Sequence, residues 1–284
     1  MEHFNPGIYK NIPEVDYHSG LFGPRFSISS TDAKNILKAP AFFEHARHRS
    51  ALPNSAFDIG TITHTKILGT PENIAIYPDE VLSTTGQATT RKAREFADDA
   101  RENGLIPVKL ADLTDVYGMV SAVKNHPVTS QIFSDGTPEQ SIYAIDAPTG
   151  VWMRGRVDWE TTIDGETVLV DLKTTASTAS LDDIERAVAT YDYALQMEWY
   201  RAIWQAVTGE YPRFLHVFVS KKPPYLVNVV ELDAEFQAIG RMQAREALDT
   251  WDAYQQGSIP AGYPEEIQLI APPAYYANKY LEME

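Results

Sequence analysis

Apolar and polar positions alternate most clearly between residues 139 and 175. Glu139–Asp146 and Val151–Glu160 change character residue by residue, and Val168-Leu169-Val170-Asp171-Leu172-Lys173 begins apolar and ends charged. A period of two marks β-strands, whose successive side chains point to opposite faces. Pro148-Thr149-Gly150 supplies one turn and Asp164-Gly165 a hairpin signal. On simple alternation, Arg154, Arg156, Asp158 and Glu160 share one face, with Met153, Val157 and Trp159 opposite. Asp171 and Lys173 point to one side and Leu172 to the other. The hairpin can bring Asp158 next to Asp171.

Helical spacing governs most of the remainder. Ser27–Asp32 carries an N-cap signal, Ile36, Leu37, Phe42 and Phe43 follow as an apolar face, and Pro40 marks a break. Ile59, Ile62, Thr63, Lys66 and Ile67 predict a helix that Gly69 stops, and Gly60 permits close approach of another backbone. Leu113, Val116, Tyr117, Val120 and Val123 form a further stripe, ended by His126-Pro127. Leu181–Thr208 predicts one or two helices with Asp182 and Asp183 at the positive end of the macrodipole. Tyr193, Gln196 and Tyr200 share a face there, beside Trp199 and Trp204, and a buried Gln196 amide needs partners. Phe214–Ser220 and Leu226–Leu232 predict strands, and Ala234–Tyr254 a long helix. The expected organisation is one α/β domain with a mixed central sheet flanked by helices. It comprises an N-terminal arm (1–26), a helical insertion (78–137), a sheet core (139–233), and a C-terminal helix and tail (234–284).

Composition narrows the class. With 284 residues and 44% hydrophobic content the chain can bury a sizeable core. The absence of cysteine excludes disulfides, zinc ribbons, iron–sulfur clusters and thiol nucleophiles. No apolar run of about 18 residues and no signal-peptide pattern occurs, so the expectation is a cytoplasmic protein with no membrane partner. The net charge of −15 argues against bulk electrostatic binding of nucleic acid, although it says nothing of a locally positive channel. No P-loop, Rossmann fingerprint or Gly-x-Ser-x-Gly elbow is found.

The candidate chemistry lies with the acids. Two carboxylates brought together repel unless a cation or a proton lies between them. Asp158 and Asp171 would suit Mg²⁺, with Mn²⁺ as a substitute, and a water near Lys173 would be a competent nucleophile for a phosphodiester. His64 reads either as a structural hydrogen-bonder or as a ligand. Lys34, Lys38, His45, Arg47, His48 and Arg49 read either as a solvated helix face or as a phosphate-contacting strip. Arg91, Lys92 and Arg94 form a second basic cluster.

An acid on one strand, then an acid, one residue and a lysine on the next, resembles the core of the PD-(D/E)XK nuclease superfamily. The wider pattern resembles the RecE-type phage exodeoxyribonucleases, the nuclease domain of exonuclease VIII. It runs from Asp16-Tyr17-His18-Ser19-Gly20 and Ser27-Ile28-Ser29 through Gly60-x-x-x-His64, Glu139-x-Ser141-Ile142-Tyr143, Thr149-Gly150 and Arg156-x-Asp158. It continues with Asp171-x-Lys173-Thr174-Thr175, Tyr191-Asp192-Tyr193 and Gln196-x-x-x-Tyr200. Val157 departs from it, since proline is common at that position in the family.

The resemblance implies a restriction-endonuclease-like core. Asp158 and Asp171 would be the principal metal ligands, with His64 and the Leu172 carbonyl as further ones. Glu139 would be an additional acid, and Lys173 would activate the water or stabilise transition-state charge. Gln196 and Tyr200 would brace the site. The implied activity is Mg²⁺-dependent 5′-to-3′ degradation of linear double-stranded DNA by a toroidal tetramer. The 3′ tails would pass to a RecT-like single-strand annealing protein, in the bacterial cytoplasm and from a phage or prophage gene. Arg154, Arg91 and Arg94 are candidates for reading a 5′ phosphate. The alternatives are a RecB- or Cas4-like single-strand nuclease and a catalytically silent DNA-end-binding protein.

Overall fold

A computed structural model describes residues 4–13, 16–17, 22–24, 26–47, 55–70 and 73–281. His18-Ser19-Gly20 of the N-terminal pattern, and His48 and Arg49 of the basic strip, lie outside the described residues. A six-stranded sheet forms the centre, in the order β1 (Gly7–Tyr9), β4 (Thr137–Ile145), β5 (Trp152–Ile163), β6 (Glu166–Thr175), β7 (Arg213–Ser220) and β8 (Val227–Val230). All neighbours are antiparallel except β6 and β7. The Asp164-Gly165 turn has φ of 52° and 84°, the two positive values a type I′ hairpin requires. The parallel β6–β7 pair needs a long crossover, which α7 (Leu181–Tyr191) and α8 (Tyr193–Thr208) provide.

Helices cover both faces. Against one lie α1 (Ser30–Lys38), α7, α8 and α9 (Ala234–Gln255), sharing a core that includes Ile36, Ile184, Trp199 and Leu248 with Met153, Val157, Leu169 and Phe218 of the sheet. Against the other lie α3 (Ser55–Leu68), α5 (Leu110–Asn125) and α6 (Thr129–Ile132), where Ile62, Val116 and Ile132 meet Trp159, Val168, Val170, Leu172 and Val217. The described residues also form α2 (Pro40–Arg47), α4 (Arg91–Glu102), α10 (Ala274–Leu281) and a 3-10 turn at Asp79–Val81. Among the described residues no helix is long and apolar enough to cross a membrane. Ser29 caps α1 in a reciprocal box: its hydroxyl accepts the Asp32 N–H while the Asp32 carboxylate accepts the Ser29 N–H. Such a cap is worth about 1 kcal/mol.

The structure adds strands to two of the expected segments and corrects one expectation. The N-terminal arm contributes β1, which pairs with β4. The helical insertion contributes β3 (Ile106–Val108), which pairs in parallel with β2 (Ile74–Ile76) just ahead of it. Strands of three residues are too short to display a period. The correction concerns β5, where Met153 and Val157 pack on one core but Trp159 packs on the other. Simple alternation fails there because Glu139 on the neighbouring strand has φ of 49° and the pairing of Glu139 with Asp158 is missing. A left-handed residue twists the strand pair at that point.

Close packing of α8 against α9 rests on Gly240, where an added Cβ would lie 2.2 Å from the Ala194 carbonyl oxygen. Main chain cannot move aside as a flexible side chain can. Gly240→Ala is expected to destabilise the fold by about 1–3 kcal/mol in urea denaturation. A change below about 0.5 kcal/mol would show that this contact does not set the helix spacing.

Candidate active site

The site grows from the gap in β5. The β4–β5 register passes from Pro138↔Trp159 to Gln140↔Val157 and leaves out the intervening pair, Glu139 and Asp158. The β5–β6 register stops at Trp159↔Val170, one step short of setting Asp158 opposite Asp171. Asp171 itself pairs with His216 on β7. Glu139, Asp158, Asp171 and His216 therefore occupy one row across four strands, and the main-chain ladder is open at Asp158.

A buried N–H left without a strand partner must find another acceptor. The Leu172 N–H donates to Asp158 Oδ2 at 2.8 Å. His64 Nε2 lies 2.8 Å from the same oxygen. His64 reaches it from α3, which approaches β6 closely at Gly60, where a Cβ would stand 3.3 Å from Thr174 Oγ1. Burial alone would raise the Asp158 carboxyl, but the His64 charge and the hydrogen bonds from His64 and Leu172 hold it below its ordinary value. Burial would lower the His64 imidazole, and Asp158 overrides this and raises it.

Asp171 is 2% exposed. Lys173 Nζ stands 3.0 Å from its Oδ1 and 2.8 Å from its Oδ2. Lys173 also donates to Gln196 Oε1 at 3.1 Å and lies 4.6 Å from the Tyr193 ring centre. Gln196 Nε2 donates to Asp171 Oδ1 at 2.9 Å and to the Tyr200 hydroxyl at 3.3 Å. The i, i+3, i+7 spacing along α8 thus turns Tyr193, Gln196 and Tyr200 onto the site. Burial raises the Asp171 carboxyl, the Asp158 charge adds to that, and Lys173 only partly opposes it. Lys173 would be lowered by burial, but the charges of Asp171 and Asp158 raise it and keep it an ammonium ion.

Each anticipated side chain is accounted for. His64, Asp158, Asp171, Lys173, Gln196 and Tyr200 form two linked hydrogen-bonded groups, joined through Leu172. Leu172 enters these groups through its N–H. Glu139 heads the row, and its charge is felt at His64. Arg154 spends its guanidinium on Ser27 and on Asp32 at 3.0 Å, and Arg156 on Ser141 and the Ile12 carbonyl, so both tie the N-terminal segment to β5. Arg91 lies on the exposed face of α4, 3.5 Å from Glu95, and Arg94 donates to the Thr89 carbonyl.

His216 was not anticipated. It is wholly buried among the Tyr193, Phe214 and Phe218 rings, and neither ring nitrogen has a hydrogen-bond partner among the described residues. Burial first, and then the Lys173 charge, lower it to about 3, so it is neutral. The alternation Phe214-x-His216-x-Phe218 was the available signal that it shares a face with aromatic core.

The donor set suits a hard divalent cation: two carboxylates in neighbouring row positions, an imidazole, and a buried Asp171 Oδ2 that lacks a hydrogen bond of good geometry. Among the described residues no three His, Asp or Glu side chains already form a cation cage. His64 and Lys173 instead close onto the carboxylates, the positions a cation would share.

Comparison with known proteins places the fold. A family model described as a PDDEXK-like domain of unknown function (DUF3799) matches residues 29–272. The chain is similar in structure to a protein of Eubacterium rectale to which an exonuclease assignment is attached provisionally. The TM-score is 0.61 at 14% identity, with 96% of this chain and 98% of the other covered. A phage-related exonuclease of Haemophilus somnus 129PT matches at TM-score 0.35 and 11% identity, covering 85% of this chain and 99% of that one. No curated protein matches the sequence.

Removing one member of a buried ion pair leaves an uncompensated charge, at a cost of about 3–5 kcal/mol. Lys173→Met is therefore expected to destabilise the metal-free protein by about that amount in urea denaturation. Lys173→Met/Asp171→Asn should recover part of the loss, because the stranded anion is gone. A single variant within about 1 kcal/mol of the parent would contradict the burial of this pair.

Proposed function

Since the chain belongs to the PDDEXK-like domain family DUF3799, we propose that it is a hydrolytic nuclease whose site is the row of Asp158 and Asp171 with Lys173. The observation that carries this is the opening of the strand ladder at Asp158, which leaves one carboxylate beside another with an ammonium ion in contact. A divalent cation of the Mg²⁺ or Mn²⁺ type would supply Lewis acidity at the phosphate and a more acidic water. Asp158 and Asp171 would hold it, with His64, Glu139 and the Leu172 carbonyl as further donors.

The residues divide the remaining work. Lys173, an ammonium ion against Asp171 in the metal-free protein, would stabilise negative charge that develops on the phosphate or activate the attacking water. Gln196 holds Lys173 and Asp171 at a fixed separation, and Tyr200 orients Gln196. His64 and the Leu172 N–H fix the Asp158 carboxylate in one rotamer.

The finer reading is 5′-to-3′ digestion of linear double-stranded DNA to leave 3′ tails for a RecT-like annealing protein, by a ring-shaped tetramer in a bacterial cytoplasm. It is supported by the resemblance of the motifs to RecE-type enzymes. Enclosure of duplex by a ring would also explain how a chain with net charge −15 retains DNA.

The test compares linear duplex, closed circular duplex and single strand, each labelled and incubated with Mg²⁺, Mn²⁺ or EDTA. Release of a 5′ label from linear duplex, dependent on metal, is expected. Asp158→Asn and Asp171→Asn should abolish it, and Lys173→Ala should slow it by about 10²–10³-fold. Preference for single strands would favour a RecB- or Cas4-like nuclease. No digestion with either metal would favour an end-binding protein and overturn the hydrolytic reading.

A further inference from the structure

Of the basic strip on α1 and α2, Lys38, His45 and Arg47 are exposed, and the Arg47 guanidinium lies over the Phe26 and Phe43 rings. Lys34 behaves differently. Its Nζ donates to the Tyr191 carbonyl at 2.6 Å and stands 5.6 Å from the centre of the Tyr193 ring. This is the ring that Lys173 also approaches, at 4.6 Å. Two ammonium groups thus share one aromatic support at the edge of the site.

Their partners are unequal. Lys173 has the Asp171 carboxylate and the Gln196 amide oxygen. Lys34 has a neutral carbonyl and a ring, and among the described residues no carboxylate lies within ion-pair distance of it. Burial, and after it the Lys173 charge, lower Lys34 to about 8. The charges of Asp192 and Asp171 offset this only in part, so a half-buried cation beside another cation, with no carboxylate in contact, is an energetic cost that an arriving anion relieves. A DNA strand crossing this edge brings such an anion at every nucleotide.

We propose that Lys34 is a substrate-binding residue, contacting a DNA backbone phosphate adjacent to the one held at Asp158 and Asp171, with Tyr193 as the common support of both lysines. The proposal rests on the nuclease reading and adds to it a residue outside the acid–lysine core. Its chemistry is that of a point charge on a phosphate, so it confers affinity without base preference.

The salt dependence of binding tests it. Anisotropy of a short labelled duplex and a short labelled single strand is measured in EDTA between about 50 and 200 mM KCl. Loss of one phosphate contact flattens the plot of log affinity against log salt by about 0.9 for duplex or about 0.7 for single strand. Lys34→Gln is expected to show that flattening, Lys34→Arg to retain the parental slope, and Lys38→Gln to leave it unchanged. Lys34→Met keeps an unbranched aliphatic side chain without the charge and replaces Lys34→Gln should the latter lose its cooperative melt. A parental slope in the neutral variant, including a uniform shift of affinity at every salt concentration, would overturn the assignment while leaving the nuclease reading intact. Failure of the parent to bind either strand form would overturn the Lys34 assignment, and the nuclease reading is decided separately by digestion with Mg²⁺ or Mn²⁺.

Discussion

The site depends on a carboxylate that does the work of a main-chain acceptor. β6 needs a partner for the Leu172 N–H on the side facing β5, and β5 stops pairing at Trp159. Asp158 satisfies the N–H with its side chain, at 2.8 Å. The acid is consequently fixed by the same requirement that builds the sheet. The interruption also lets α3, which packs on the opposite face from α8, reach the row through His64. The row thereby receives groups from both helical layers, His64 of α3 at Asp158 and Gln196 of α8 at Asp171.

Burial then sets the electrostatics. Taking carboxylates and a lysine out of water is costly unless each finds a partner. Asp171 and Lys173 answer each other directly, and Gln196 bonds to both, so the three are locked as a unit. Asp158 is answered by His64. The two acids remain unequal: Asp158 is held below its ordinary value and Asp171 above it. That imbalance is what an added cation would relieve, because a doubly charged ion stabilises both carboxylates at once. The neutral His216 behind Asp171 adds no charge to the row.

Much of this was legible in the chain. The Asp-Gly turn fixed the β5–β6 hairpin, and alternation set Asp171 and Lys173 on one side, where they are in contact. Helical spacing brought Tyr193, Gln196 and Tyr200 to one face. The change of face along β5 was not legible, because it follows from a positive φ at Glu139, a residue type with no preference for that conformation. Nor was the difference between Lys34 and Lys38, which depends on where α1 lies relative to Tyr193. The place of His216 beside Asp171 was not legible either, because a strand's sequence does not name its neighbour across a parallel pair.

The most direct measurement is anomalous diffraction from crystals soaked in Mn²⁺. The account predicts a manganese peak within coordination distance of carboxylate oxygens from both Asp158 and Asp171, with Lys173 still beside the ion. A peak bound to only one of these acids, or no peak in the row at saturating Mn²⁺, would contradict the claim that the break in the ladder builds a cation site.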